Sequence, residues 1–140
     1  MTYYIAEQIA KLLNERNQLD GKYTAEKVLE KKSNYVFIQE KNEVIACAES
    51  LKIQWYQHEI KHVSVAERFE GKGLGKKILK LAEEKADKEN ARILQCTVRS
   101  NNESSLRLFI RQGYVKVNQF YNRRTENWIF VLQKSISINI

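Results

Sequence analysis

From the N-terminus, apolar residues recur at helical spacing: Ile5, Ile9, Leu12, Leu13 and Leu19 mark one stripe of a helix over 5–19. "YTAEKVLEKK" follows as a second short helix, with Thr24 placed to cap its first turn. The period then changes. "NYVFIQEKNEVIACAESLKI" alternates and is rich in β-branched and aromatic residues, and its polar "EKNE" centre predicts a hairpin turn. "WYQHEIKHVSV" reads as a third strand. Leu74, Ile78, Leu81, Ala82 and Ala86 then define one face of a helix running to about Lys88, and "RILQCTV" is a strand with Leu94, Cys96 and Val98 on a common face. "NNESSLRLFIRQ" is helical, with Ser100, Asn101 or Asn102 as its cap and Gly113 at the C-terminal stop, where a positive φ is wanted. "GYVKV" and "NWIFVLQK" close the pattern as strands joined by the polar loop "NQFYNRRTE".

That order, helices, three strands, helix, strand, helix, two strands, implies an α/β fold: a mixed sheet with helices on its faces. Strand 59–65, the following helix and strand 92–98 should form a right-handed parallel crossover. No repeat, low-complexity segment or linker interrupts the chain, so one domain over 1–140 is expected.

Composition narrows the class. With 140 residues, 43% of them hydrophobic, the chain can bury a core without disulfides or a metal. No apolar run approaches the roughly 18 residues that cross a bilayer, and "MTYYIAEQIAKLLNER" lacks a signal peptide's basic start and small-residue cleavage site. A soluble, cytoplasmic protein with no membrane partner is the expectation. Cys47 and Cys96 sit in apolar strand-like runs without metal-ligand spacing, which predicts buried thiols. The net charge of +7 favours anionic partners without choosing among them.

"RFEGKGLGKKIL" carries the chemistry: Gly71, Gly73 and Gly75 alternate between a predicted strand and a predicted helix, in a chain with five glycines. Strand, glycine turn and helix aim backbone N–H groups and the positive helix end at an anion, with phosphate the natural guest. Two nucleotide loops are excluded. The dinucleotide pattern needs glycine where Lys76 stands, and the P-loop needs glycine at Glu70 and Ser or Thr at Lys77.

A third pattern fits. Arg68, Phe69, Glu70, Gly71, Lys72 and Gly73 match the [QR]xxGx[GA] signature of the GNAT superfamily of acyl-coenzyme A N-acyltransferases, which the chain resembles from about Val36 to Lys134. Asn102, Ser105, Leu108, Phe109, Gly113 and Tyr114 follow the family's later Asn-x-x-Ala-x-x-Leu-Tyr-x-x-x-Gly-Phe spacing. The resemblance implies a central, mostly antiparallel mixed sheet whose fourth and fifth family strands splay apart, with helices on both faces. The family's opening strand is not evident before the Ile5 helix.

The resemblance further implies acetyl-CoA as acyl-donor cosubstrate and no metal. Backbone at Arg68, Gly71, Lys72, Gly73 and Gly75 would hold its diphosphate, with Lys72, Lys76 and Lys77 as steering charges. Main chain at Val63 and Val65 would pair with pantetheine as an added strand. Asn102 is read equally as a cofactor contact and as a helix cap. Glu59 falls where relatives place a general base, with His58 and His62 as rivals. Phe109 replaces the tyrosine that protonates the leaving thiolate in relatives, which turns attention to Tyr114 and Tyr121 as substitute donors; Phe109 itself would fill core or line the pantetheine slot as a cofactor contact.

An N-acetyltransferase acting on a primary amine in a ternary complex is the favoured function. A coenzyme A binding module without catalysis is the alternative, and a basic nucleic-acid binder, lacking any stacking motif, is the least favoured. The acceptor is a small molecule or a protein amine. The first helices and Phe120, Tyr121, Asn122, Arg123 and Arg124 would flank its groove, the two arginines leaning toward an acidic acceptor. Oligomeric state, a homodimer included, stays open.

Overall fold

The computed structural model describes residues 1–136. Helix α1 (Tyr3–Arg16) and the short α2 (Ala25–Glu30) precede strands β1 (Tyr35–Glu40), β2 (Glu43–Gln54) and β3 (Gln57–Val65). Helix α3 (Leu74–Lys88), strand β4 (Ile93–Arg99), helix α4 (Glu103–Arg111) and strands β5 (Val115–Asn122) and β6 (Asn127–Ser135) follow. The six strands form one sheet in the order β1-β2-β3-β4-β6-β5. Every neighbouring pair is antiparallel except β3 with β4, which the α3 crossover joins in parallel.

Two cores form because β2 alternates between two covered faces. Ala46 and Ala48 meet Ile78, Leu79, Ala82 and Ala86 of α3, together with Leu94, Cys96, Phe109 and Leu132. Cys47 points the other way, into Ile9, Leu13, Val28 and Tyr35 beneath α1 and α2. The two thiols therefore lie in separate cores, both buried.

The expected caps are present. Thr24 accepts from the Lys27 N–H, and Asn102 accepts from Ser105. Lys41 and Asn42, both at positive φ, make the tight β1–β2 turn predicted at "EKNE". Four expectations shift. Helix α1 stops at Arg16 and leaves Leu19 outside, because Asn17 turns extended and its carboxamide donates to Leu13 O (3.0 Å) and Ser64 Oγ (2.8 Å). Trp55 and Tyr56 are the turn between β2 and β3 instead of the start of a strand, since Gln54 already pairs with Gln57. Leu81 faces outward, at 37% exposure, beside the core row of α3. The loop expected over 118–126 shrinks to Arg123–Glu126, because Phe120 and Tyr121 pair with Ile129 and Trp128. Among the described residues no strand precedes α1, so β1 is a sheet edge.

Candidate functional site

Strands β3 and β4 pair at only three rungs, Gln57 with Ile93, His58 with Leu94 and Glu59 with Gln95. Beyond them the strands diverge into a V. The divergence starts at a bulge: Cys47 opposes Ser64 while Glu49 opposes Lys61, so β3 carries an extra residue, and His62 takes the left-handed conformation there (φ 55°). A chain of hydrogen bonds holds the bulge. Asn17 donates to Ser64 Oγ, and Ser64 Oγ donates to His62 O at 2.8 Å.

A cavity of about 790 Å³ fills the V, within the range of small-molecule sites. Its walls are Ile60 to Val63 of β3, Cys96 to Arg99 of β4, and Asn102, Ser105 and Phe109 at α4. Its mouth is the segment Arg16–Tyr23, one side of α2, and the β5–β6 turn with Asn122, Arg124 and Thr125. Asn14 fixes that mouth by gripping Tyr23 at both backbone groups, accepting from its N–H (2.9 Å) and donating to its carbonyl (3.0 Å).

Beside the V, on the way into α3, the glycine stretch takes the predicted form. Gly71 (φ 76°) and Gly73 (φ 78°) adopt left-handed backbone that a side chain would strain, and Gly73 caps α3 without a side chain. Gly75 has an ordinary conformation; a Cβ there would lie 3.4 Å from Leu108 Cδ2, which makes it a helix-contact glycine. The first helical N–H to find a carbonyl is that of Lys77, on Gly73 O (3.2 Å). Among the described residues, none of the six N–H groups from Gly71 to Lys76 donates to a protein acceptor. Arg68 and Lys72 flank the Phe69 ring at 4.9 and 5.1 Å, and Arg68 is also paired with Glu43.

Placement separates the predicted catalytic groups. Glu59 sits at the closed end of the V, at its last paired rung, and does not line the cavity. His58 is buried on the α3 face with Nδ1 on Ser50 Oγ at 3.1 Å, a packing histidine and no rival base. His62 does line the cavity, edge-on to Tyr23 with ring centroids 5.7 Å apart, and burial pushes its pKa down to about 4, so the imidazole is neutral near pH 7. Neither substitute tyrosine reaches the cavity. Tyr114 is buried behind Phe109, donates to Glu83 Oε2 at 2.9 Å, and is held protonated by that burial and by Glu83. Tyr121 stands on the exposed edge strand against Trp128. Phe109 is buried on the cavity wall, 5.0 Å from the Tyr114 ring. Asn102 caps α4, as one of its two expected roles requires, and also lines the cavity.

Sequence reasoning missed Tyr23, Lys61 and Arg99. Lys61 precedes the bulge residue and Arg99 ends β4; only the divergence of the strands brings them to one cavity. Cys96 also lines it, but burial first, and Glu59 second, push its thiol up to about 12, which removes a thiolate nucleophile.

A splayed parallel strand pair beside an N–H nest at a helix start is the arrangement that the resemblance to the acyl-coenzyme A N-acyltransferases implies. The chain belongs to the acetyltransferase (GNAT) family, whose model matches residues 3–114. No curated protein sequence matches it significantly. Solved structures share the fold at low identity. The putative acetyltransferase yncA from Salmonella typhimurium, with its cofactor acetyl-CoA, is 18% identical with a TM-score of 0.83 over 99% of this chain and 92% of that one. A ribosomal-protein-alanine N-acetyltransferase from Brucella melitensis is 15% identical, TM-score 0.82, over 97% of each chain. A GNAT family acetyltransferase from Elizabethkingia anophelis with acetyl-CoA bound is 18% identical, TM-score 0.76, over 90% and 89%. No described helix is long and apolar enough to cross a membrane.

Proposed function

We propose that the protein transfers an acetyl group from acetyl-CoA to a primary amine by direct attack in a ternary complex. The observation that carries this reading is the run of six undirected N–H groups, Gly71 to Lys76, at the positive end of α3 and beside the V. The nest suits a diphosphate, with Lys72, Lys76 and Lys77 adding charge. The edge of β3 past Glu59 pairs with no strand on its β4 side, which leaves main chain near Val63 and Val65 for an amide-bearing pantetheine arm.

Acetyl-CoA would supply the activated acyl carbon that the amine attacks. The amine must lose a proton for its nitrogen to hold the new C–N bond as the C–S bond breaks. His62, on the wall, takes that proton in this reading; its lowered pKa makes it a weak base, which holds the proton with help from the negative charge that develops on the acyl oxygen, whereas Glu59 does not line the cavity. Backbone N–H groups at the bulge stabilise the negative charge that develops on the acyl oxygen. The buried thiol of Cys96 argues for direct transfer over a covalent relay. With Phe109 on the wall, the departing thiolate finds no phenol there; a thiol near pKa 8.5 leaves as an anion without one. Tyr23 is the tyrosine that does line the cavity.

Phe109 also favours a second reading, a coenzyme A binding module without turnover. Incubation with acetyl-CoA and a panel of amines decides. Thiol release that requires an amine establishes the enzyme, tight cofactor binding without release establishes the module, and absence of binding removes both.

A further inference from the structure

The cavity carries uncompensated positive charge on the face of the sheet that α1 and α2 cover. Arg16 and Arg124 are spent on Glu70 and Asp20. Lys22, Lys27, Lys31, Lys61 and Arg99 also line it, and none makes an ion pair among the described residues. Against these five stand two unpaired carboxylates, Glu30 at the mouth and the buried Glu49, which opposes Lys61 across β2 and β3 without pairing to it. Lys61 and Arg99 matter most, because both are half-buried and stand on opposite arms of the V. Arg99 donates to a neutral group, Gln18 Oε1, at 2.6 Å. By strand alternation Lys61 shares the face of Glu49, and Arg99 lies opposite the buried row of Leu94, Cys96 and Val98, so the two cations face the same side.

Lys61 has the Glu49 carboxylate opposite it without an ion pair and Arg99 meets only neutral Gln18, so the two half-buried cations are short of an anion that a ligand can supply. The cofactor's diphosphate does not meet this need: the N–H nest at Gly71 to Lys76 lies outside the cavity and has lysines of its own. We infer that the acceptor is an amine whose own molecule carries a carboxylate or phosphate, held between Lys61 and Arg99, with Lys22, Lys27 and Lys31 drawing it in. This rests on the acetyl-transfer reading and names its substrate class. The bond changes are those given above, and the amine's proton leaves through His62.

Matched pairs test it at low salt: glutamate against glutamine, phosphoethanolamine against ethanolamine, and a free peptide with Asp at positions two and three against its Asn counterpart, with spermidine as a polycation. The acidic member of at least one pair should be acetylated with kcat/KM about tenfold higher, falling to parity in Lys61→Gln/Arg99→Gln and in about 0.5 M salt. Preference confined to the small amines assigns a free metabolite; preference confined to the peptides assigns an acidic polypeptide end. Faster turnover of spermidine or of the neutral members, or a preference that survives the double substitution, overturns the inference. Calorimetry with glutamate, phosphoethanolamine and the Asp peptide in turn on the coenzyme A complex reads the charge site without turnover: heat with at least one of them that is lost in the double variant supports it, and no heat with any of the three on the wild type overturns it. If no amine releases thiol while that heat persists, acetyl transfer fails and the anion site stands. Single Lys61→Gln and Arg99→Gln variants, each checked by circular dichroism, keep the test open should the double variant not fold.

Discussion

The two sides of the V are built on different principles. The proposed donor side, from Gly71 into α3, presents backbone: N–H groups, a helix end and a bare strand edge. The proposed acceptor side, from Arg16 to Tyr23 and across to the β5–β6 turn, presents side chains brought from segments far apart in sequence. A backbone site binds what is invariant in a substrate and can be met again in any protein with the same turn. A side-chain site binds what is particular. The family's shared cofactor and divergent acceptors would follow from this division.

Four tests break or sharpen the contrast. The largest effect is expected from His62→Asn, which keeps a residue tolerant of positive φ but removes the base: kcat should fall about 10²–10⁴-fold with cofactor affinity unchanged, while Glu59→Gln stays within about threefold. Equal losses in the two would return the base to Glu59. Next, Gly73→Val should weaken coenzyme A binding about 100-fold by calorimetry, because left-handed backbone costs a branched side chain roughly 1–2 kcal/mol and the N–H groups lose their aim. Gly75→Ala is its control, with affinity kept, since its backbone is ordinary and Leu108 Cδ2 can shift from 3.4 Å.

Third comes pH. His62 binds a proton near pH 6.5 when unfolded but only near about 4 when folded, so between those values the unfolded state holds more protons and stability rises with pH. Roughly 2–3 kcal/mol present above pH 6.5 should be lost by pH 4, and His62→Asn should flatten that slope in urea titrations. An unchanged slope would show that the imidazole is hydrated. The smallest effect is Asn17→Ala, which removes two hydrogen bonds and should cost about 1–2 kcal/mol of thermal stability. It should also lower turnover more than it lowers cofactor binding.

What could be read beforehand divides along the same line. The α3 stripe apart from Leu81, the parallel crossover, the Thr24 and Asn102 caps and the glycine turn are local or evenly periodic, and each appeared where its spacing put it. Leu19 misled because helical spacing continued past the point where a side chain of Asn17 prefers a tertiary partner, Ser64. "NQFYN" looked like loop because its polar residues sit on an edge strand exposed on both faces, where alternation leaves no trace. Lys61, His62 and Arg99 could not be assembled, since a bulge and a strand divergence decide which way they face, and neither has a compositional mark.

Asn17 has a consequence for how such a protein can change. One carboxamide closes α1 and, through Ser64, steadies the carbonyl of His62, so the end of the acceptor helix and the kink in the strand move as one piece. Tilting that helix to admit a new acceptor would shift His62, the base of the proposed reaction. On the proposed reading altered selectivity is channelled into Gln18 to Lys22, downstream of the knot, where an exchange at Gln18 or Asp20 changes what Arg99 or Arg124 meets and leaves the Asn17–Ser64–His62 chain in place.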